Sequence, residues 1–326
     1  MDPLDEMRAL LLRRAPADMT TAIDGVRACR FDRTDAPTPG MSGTVLAVIA
    51  QGRKRLALGE HRYEYGPRQY LVASADLPVT GHVVDTRDTR DTGATDTGAR
   101  DTGATDTGAG DTGRPTLGFG MTLSPAVLAE LLLAADPHDL PPPADTTAPP
   151  GIAVSTAPPP LLDAVVRLLR LLDRPADRKV LAPMIKREIL WHLLRGEQGG
   201  AIRQPGLADS GLAHINRAVR RIRENFADPF RVEDLAQLAG MSASAFHRTF
   251  RTVTGMSPIQ FQKRIRLQEA RLLLAGRPSD ISGVGLRVGY DSPSQFSREY
   301  RRLFGTPPSE DTTLRAPSAE HATALP

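Results

Sequence analysis

The sequence predicts a multidomain α+β protein, with a β-rich N-terminal half that ends in helices and an all-α C-terminal third. Three observations lead to this fold class. Short alternating apolar runs fill residues 44–84, leucines at helical spacing follow residue 124, and one helical pattern occurs twice after Phe230. At 326 residues the chain is long enough for two domains with separate cores.

The β-structure is predicted from four runs between Thr44 and Val84. These runs are TVLAVIA, KRLALGE, YEYGPRQYLVAS and PVTGHVV, and they are separated by Gly and Pro. A fifth run, LGFGMTL, begins at Leu117. Several short strands divided by turn residues are typical of a small barrel or sandwich.

A polar repeat separates the fourth run from the fifth. Residues 85–114 repeat the triplet Asp-Thr-Gly and hold almost no apolar side chain that a core could bury. We therefore predict a disordered loop insertion. A calcium-binding repeat is the alternative, but the spacing matches neither the EF-hand loop nor the glycine-rich nonapeptide.

Helices are predicted after the last strand. Ser124 and Pro125 are a typical cap and first-turn residue, and a helical pair follows over 161–196. Its apolar stripe either packs on its own domain or forms a dimer seam. The stripe consists of Leu161, Val165, Leu168, Leu169 and Leu172. We assign residues 1–200 to this first domain, 201–213 to a linker and 309–326 to a disordered tail.

Charge and cysteine content limit the function classes. Residues 214–306 carry sixteen Arg and Lys against eight Asp and Glu, whereas the whole chain has a net charge of only +3, so this basic segment is expected to bind a polyanion. Cys29 is the single cysteine, which excludes an internal disulfide and favours a small apolar filler over a redox sensor. Residues 1–14 make a poor signal peptide and no apolar stretch spans a bilayer, which predicts a cytoplasmic protein without a membrane partner.

The most informative feature is a duplication within residues 214–308. The first copy, VEDLAQLAGMSASAFHRTFRTVTGMSP, begins at Val232, and the second, ISGVGLRVGYDSPSQFSREYRRLFGTPP, begins at Ile281. Each copy has a short amphipathic helix, a glycine stop, a serine cap and a second helix with an aromatic stripe. Helix, glycine turn and capped helix together form the helix-turn-helix pattern.

The second helix of each copy has a polar face that suits the major groove of double-stranded DNA. Arg, His, Gln and Ser side chains can hydrogen-bond base edges and phosphates. The predicted DNA-binding residues are Ser244, His247, Arg248, Arg251, Pro293, Ser294, Gln295, Ser297, Arg298 and Arg301. A solvated helix face is the alternative for any single residue, but two matched faces in the basic segment favour DNA. A helix from Ser257 to about Ala275, roughly 27 Å long, joins the two copies as a strut.

These motifs resemble the DNA-binding domain of the AraC/XylS family of bacterial transcription regulators. The resemblance lies in LAQLAGMSASAFHRTFR, GMSPIQFQKRIRLQEARLLL and VGYDSPSQFSREYRRLFGTPP. The N-terminal part is similar to the cupin-like effector domain of one branch of that family, in AVIAQGRKRLALGEHRYEYGPRQYLVASADLPVTG and LLRLLDRPADRKVLAPMIKREILWHLLRGEQG. The resemblance implies a cupin-like β-barrel with a helical appendage, followed by a bipartite DNA reader with two helix-turn-helix subdomains.

The resemblance also implies a function. It is that of a sequence-specific regulator of transcription, controlled by an unidentified small-molecule effector in the N-terminal barrel. It implies that Ser244, His247, Arg248, Ser294, Gln295 and Arg298 occupy base-reading positions. Operator DNA and the effector are the expected partners, RNA polymerase and a second copy of the chain are candidate partners, and no cofactor or metal is expected. Gly283 and Gly285 depart from the family, because helix formers are usual at their positions. Each glycine costs up to about 1 kcal/mol of helix stability, which predicts a less stable second subdomain.

Two other functions compete with this one. A cupin-type metal-dependent enzyme fused to a DNA-binding domain would draw its ligands from Glu60, His61, Glu64 and His82, but no His-x-His pair is present. A DNA-repair alkyl acceptor is not among them, because it would need several cysteines and the chain has one. A pure interaction protein without DNA specificity is the second alternative, and it would bind operator and random DNA equally.

Overall fold

The computed structural model describes residues 2–31, 37–84, 114–141, 150–203, 211–276 and 280–311. The predicted disorder of the Asp-Thr-Gly insertion and of the tail beyond residue 311 therefore lies outside the described residues. No described helix combines the length and the apolar character that crossing a membrane requires.

Nine strands of the described residues form two antiparallel sheets. The first sheet contains β1 (Val26–Phe31), β3 (Val45–Gln51), β6 (Gln69–Ala73), β8 (Thr116–Thr122) and β9 (Ile152–Thr156), in the order β1-β8-β3-β6-β9. The second contains β2 (Thr38–Met41), β4 (Arg53–Leu58), β5 (His61–Tyr65) and β7 (Pro78–Val84), in the order β2-β7-β4-β5. Alternating side chains of both sheets share one apolar cluster, so the sheets face each other, as the period-two pattern predicts.

Five helices belong to the N-terminal half: α1 (Pro3–Arg14), α2 (Pro125–Ala134), α3 (Pro159–Arg170), α4 (Pro175–Arg195) and α5 (Gly199–Arg203). They share a second apolar cluster with the outer face of the first sheet, where Leu117, Phe119 and Met121 lie. Helix α1 is not among the sequence predictions. It begins at an Asp2 cap and is tied to α3 by the Glu6–Arg170 ion pair at 2.5 Å.

The apolar stripe of α3 packs on its own domain. Leu161, Val165, Leu168 and Leu169 are buried in the cluster that α1, α3 and α4 form with the first sheet, and Leu172 is packed against it. The intradomain interpretation of the stripe is therefore confirmed, and the stripe is not available as a dimer seam.

Six helices form the all-α C-terminal part: α6 (Gly211–Glu224), α7 (Val232–Leu238), α8 (Ala243–Thr254), α9 (Pro258–Gly276), α10 (Ile281–Arg287) and α11 (Pro293–Phe304). The structure differs from the predictions at two boundaries. The predicted linker 201–213 includes the end of α5 and the start of α6, because Ile202 and Leu212 are buried. The predicted tail is ordered as far as Asp311, because its carboxylate accepts a 2.9 Å hydrogen bond from Tyr300 and pairs with Arg271 at 3.1 Å.

The two halves of the molecule meet in one continuous apolar cluster. Leu58, Tyr65 and Leu77 from the sheets belong to the same cluster as Phe250 and Met256. The backbone N–H of residue 151 donates a 3.0 Å hydrogen bond to the carbonyl oxygen of residue 253. The first helix-turn-helix unit is thus docked against the sheets.

Candidate DNA-binding surface

The first helix-turn-helix unit is formed by α7 and α8. Gly240, with a φ of +64°, ends α7, and the Ser242 hydroxyl accepts a 3.3 Å hydrogen bond from the Ala245 N–H at the start of α8. Phe246 and Phe250 are fully buried, with ring centroids 5.4 Å apart. The predicted glycine turn, serine cap and aromatic stripe of the first copy are confirmed.

The second unit, formed by α10 and α11, repeats this design. Gly289 has a φ of +90°, and the Ser292 hydroxyl accepts a 3.3 Å hydrogen bond from the Gln295 N–H. Phe296 and Tyr300 are fully buried, with centroids 5.7 Å apart. The same turn, cap and stripe therefore direct the opposite face of α11 outward, as they do for α8.

The departure at Gly285 has a packing role. A β-carbon at this position would lie 3.1 Å from Cδ1 and 3.2 Å from Cγ of the Phe296 ring. The glycine therefore lets α10 approach the aromatic stripe of α11 closely. This packing against Phe296 offsets the low helix propensity of Gly285. An argument from the propensity of one helix does not include this contact.

The predicted DNA-binding residues lie on the outward faces of α8 and α11. Nine of the ten are exposed and Ser297 is half-buried. Four of them take part in three local contacts: Arg248 with the Ser244 hydroxyl at 3.1 Å, Ser294 with Ser292 at 3.0 Å, and the Gln295 amide with Glu299 at 3.2 Å. Arg248 and Arg298 are both exposed, as binding to DNA requires, and the base contacts themselves stay predictions.

Glu299 is a residue that sequence reasoning missed. Its carboxylate accepts hydrogen bonds from Lys263 at 2.7 Å, from the Tyr290 hydroxyl at 2.8 Å and from Gln295. Burial opposes its ionisation, but the hydrogen bonds from Lys263, Gln295 and Tyr290 outweigh burial and lower its pKa. The network holds α11 against α9 and orients Gln295 on the candidate DNA-binding face.

Arg266 on α9 connects the two units. Its guanidinium donates to the carbonyl oxygens of Phe226 at 2.7 Å and Ala227 at 2.9 Å, beyond the end of α6, and to that of Gly289 at 2.7 Å, in the turn of the second unit. The strut predicted from the length of α9 therefore connects the two units through these three hydrogen bonds of Arg266, which form the joint between them. This joint, together with the apolar contacts of α9, holds the two units against each other.

Replacement of Arg266 tests the joint. Arg266→Ala removes three charge-assisted hydrogen bonds, and we expect roughly tenfold weaker binding to an operator selected from a random library. Arg266→Lys keeps the positive charge but not the three-way geometry, so we expect most of the same loss. Fluorescence anisotropy at two salt concentrations measures both variants, and an equal loss on random DNA would show that only charge matters.

Among the residues weighed as metal ligands, Glu64 is engaged by two arginines. Glu64 accepts two hydrogen bonds from Arg55, at 2.8 and 3.1 Å, and one from Arg53 at 3.3 Å. The hydrogen bond from Arg55 lowers the pKa of Glu64 despite partial burial. Among the described residues, no group of three or more His, Cys, Asp or Glu side chains is placed to hold a metal ion.

Comparison with known protein families gives two matches. A family model described as AraC-type transcriptional regulator N-terminus matches residues 22–90 and 105–201. A helix-turn-helix domain model matches residues 235–313. Together they cover both sheets, helices α2 to α4 and nearly all of both helix-turn-helix units, whereas α1 precedes the first match.

Individual relatives are regulators of transcription. The virulence regulon transcriptional activator VirF of Yersinia enterocolitica is 29% identical over 171 residues, which are 51% of this chain and 61% of VirF. The transcriptional activator RhaS of Salmonella arizonae is 27% identical over 149 residues, 46% of this chain and 53% of RhaS. The chain thus spans less than two thirds of the length of these relatives. A solved structure of ToxT from Vibrio cholerae has a TM-score of 0.51 at 9% identity, covering 89% of this chain and 99% of ToxT, a likeness of fold.

Proposed function

Because the chain belongs to the AraC/XylS family of bacterial transcription regulators, we propose that it is a sequence-specific, DNA-binding regulator of transcription that acts in the cytoplasm. Residues 214–308 bind the operator, and residues 1–200 form a cupin-like regulatory domain that holds a small effector. The observation that carries the proposal is the pair of exposed, basic faces on two matched capped helices, joined through Arg266.

The two units share the work of recognition. Arg248 and Arg298, on equivalent outward positions of α8 and α11, bind guanine edges through two hydrogen bonds, as the arginine fork allows. His247, Gln295 and the small Ser294 contact neighbouring bases, whereas Arg251 and Arg301, one turn further on, bind phosphates.

The regulatory domain acts through its contacts with helices α6 and α9 of the DNA-binding part. Asn216 donates to the Ser74 carbonyl at 3.3 Å, Arg264 to the Thr80 hydroxyl at 2.8 Å, and Gln268 to the Val79 carbonyl at 3.4 Å. Each of these three side chains also leaves one buried polar atom without a partner: Asn216 Oδ1, Arg264 Nε and Gln268 Oε1. Since unpartnered buried polar atoms cost free energy, they offset part of the stabilisation from the shared apolar cluster, and an effector can shift the docked arrangement.

The recognition residues are tested by two single substitutions. We expect Arg248→Ala and Arg298→Ala each to weaken operator binding by about 1–3 kcal/mol, with a smaller loss on random DNA. The matched control is Arg174→Ala, which removes an exposed arginine from the turn between α3 and α4. Footprinting and anisotropy on the selected operator measure the effect, and unchanged footprints in both variants would mean that the DNA-binding face is misassigned.

A further inference from the structure

The side chain of Gln295, on the outward face of α11, is held by a carboxylate one turn further along the helix. Its amide nitrogen lies 3.2 Å from Oε1 of Glu299. The backbone of Gln295 is fixed as well, because its N–H donates to the Ser292 cap at 3.3 Å. Gln295 is exposed, whereas Glu299 is half-buried. Glu299 is thus placed to orient an amide that DNA can reach.

Glu299 is itself held by two further donors. Lys263 on α9 donates to Oε1 at 2.7 Å, and the Tyr290 hydroxyl donates to Oε2 at 2.8 Å. Burial opposes ionisation of Glu299, but the hydrogen bonds from Lys263, Gln295 and Tyr290 lower its pKa, so it is a carboxylate at neutral pH. Burial and the hydrogen bond to Glu299 raise the pKa of Tyr290, so this hydroxyl keeps its proton and remains a donor. The amide of Gln295 therefore faces an ionised acceptor in a fixed position.

The charge of Glu299 determines which end of the Gln295 amide faces it. An ionised carboxylate only accepts hydrogen bonds, so it binds the NH2 group of the amide and repels the amide oxygen. One N–H of Gln295 is used in this way, which leaves Oε1 as an acceptor and the second N–H as a donor. A free glutamine exchanges its two ends by rotation about its last torsion. In Gln295 that rotation would place two oxygens against each other, so the order of acceptor and donor is fixed.

The first helix-turn-helix unit has no equivalent arrangement. The serine cap of α8 accepts from the Ala245 N–H, as the cap of α11 accepts from the Gln295 N–H, so these two residues stand at equivalent positions. Counted from the caps, Thr249 stands at the position of Glu299. Neither an amide nor a carboxylate is present at these positions of α8. Any effect of the arrangement on recognition is therefore expected in one half of the operator only.

We propose that Gln295 binds adenine in the second half of the operator, and that Glu299 is the positioning residue that sets this preference. The inference rests on the proposed function and names one base that the DNA-binding part recognises. In the major groove adenine presents a donor at N6 and an acceptor at N7, which match Oε1 and the second N–H of the held amide. Guanine presents acceptors at both O6 and N7, so its O6 would meet Oε1 of Gln295. Thymine offers only an acceptor there and cytosine only a donor, so adenine alone satisfies both groups.

The test uses the full chain and the operator that it selects from a random library. Fluorescence anisotropy measures the affinity of wild type and of Gln295→Ala for this operator and for copies with one base pair replaced at a time. We expect one adenine in the second half-site whose replacement by guanine weakens wild-type binding roughly tenfold or more. The same replacement is expected to weaken Gln295→Ala by about threefold or less, because the amide that distinguishes the two bases is absent.

Glu299→Gln tests the positioning role. The new side chain keeps the shape of glutamate but offers both an acceptor and a donor, so the Gln295 amide can take either orientation. We expect the preference for adenine over guanine at this base pair to fall to about threefold or less, with the preferences at other base pairs unchanged. Glu310→Gln, which neutralises an exposed carboxylate beyond α11, is the matched control and keeps the full preference. A purely structural role of Glu299 would weaken binding to all sequences alike, so the ratio of affinities separates the two roles.

A second measurement uses wild-type protein and a modified base. Because 7-deazaadenine lacks the N7 acceptor, we expect wild type to bind it several-fold more weakly than adenine, and Gln295→Ala to bind both equally. The proposal is overturned if no base preference depends on Gln295, if 7-deazaadenine binds wild type as well as adenine does, or if Glu299→Gln keeps the full preference. Any of these results with a selected operator refutes only this inference, whereas failure to select an operator refutes the proposed function and this inference with it.

Discussion

Lys54→Met is expected to stabilise the ligand-free protein at pH 7 by about 3 kcal/mol in the free energy of unfolding. The figure follows from burial, which lowers the pKa of Lys54 from its ordinary 10.5 to about 8. Methionine has nearly the same length and flexibility, so it fills the site without the ammonium group. Urea unfolding of wild type and variant measures the difference, with Lys179→Met as the surface control.

The gain is expected to depend on pH in a defined direction. Because the pKa of Lys54 is lower in the folded chain than in the unfolded chain, the unfolded state binds more protons between about pH 8 and 10.5. Wild-type stability therefore rises with pH across this window relative to Lys54→Met. The difference in the free energy of unfolding between the two proteins is largest below pH 8 and shrinks towards pH 10.5.

A less stable Lys54→Met variant would contradict the burial of the Lys54 ammonium group. A gap that does not change with pH would mean that the ammonium group is not its source.

The helix-turn-helix units were predictable because their signals are local. In each copy the glycine turn, the serine cap and the aromatic stripe lie close together along the chain. The turn and the cap act on the backbone next to them, and the stripe acts through the helix that carries it. Burial of Phe250 and Phe296 then leaves one outward face on each second helix. The outward positions of Arg248 and Arg298 follow from helical periodicity alone.

Contacts between segments that are distant in the sequence were harder to predict. Arg266 binds carbonyl oxygens of residues 226, 227 and 289, and no spacing rule connects these positions. The burial of Lys54 did leave a signal, because it is in phase with Leu56 and Leu58 in the run KRLALGE. Its pairing with Tyr65, however, depends on the register of β4 and β5, which alternation alone does not specify.

Gly289→Ala is expected to destabilise the second unit by about 3 kcal/mol or more and to disrupt the joint between the units. The residue has a φ of +90°, which costs a side chain about 1 kcal/mol. An added β-carbon would also overlap with the carbonyl oxygen of Ala227 and lie 2.8 Å from the guanidinium carbon of Arg266. Neither group can withdraw without breaking the hydrogen bonds of Arg266, which adds the cost of overpacking.

Gly305→Ala is the matched control for this prediction. Gly305 ends α11 with a φ of +85°, but a β-carbon there meets nothing within 4 Å, so only the backbone cost of about 1 kcal/mol is expected. Urea unfolding and operator affinity should therefore separate the two variants, with a large loss of operator affinity in Gly289→Ala alone. Equal losses in both would mean that backbone conformation, and not the joint at Arg266, accounts for the effect. The placement of the two DNA-binding faces would then have to be determined by the apolar contacts of α9.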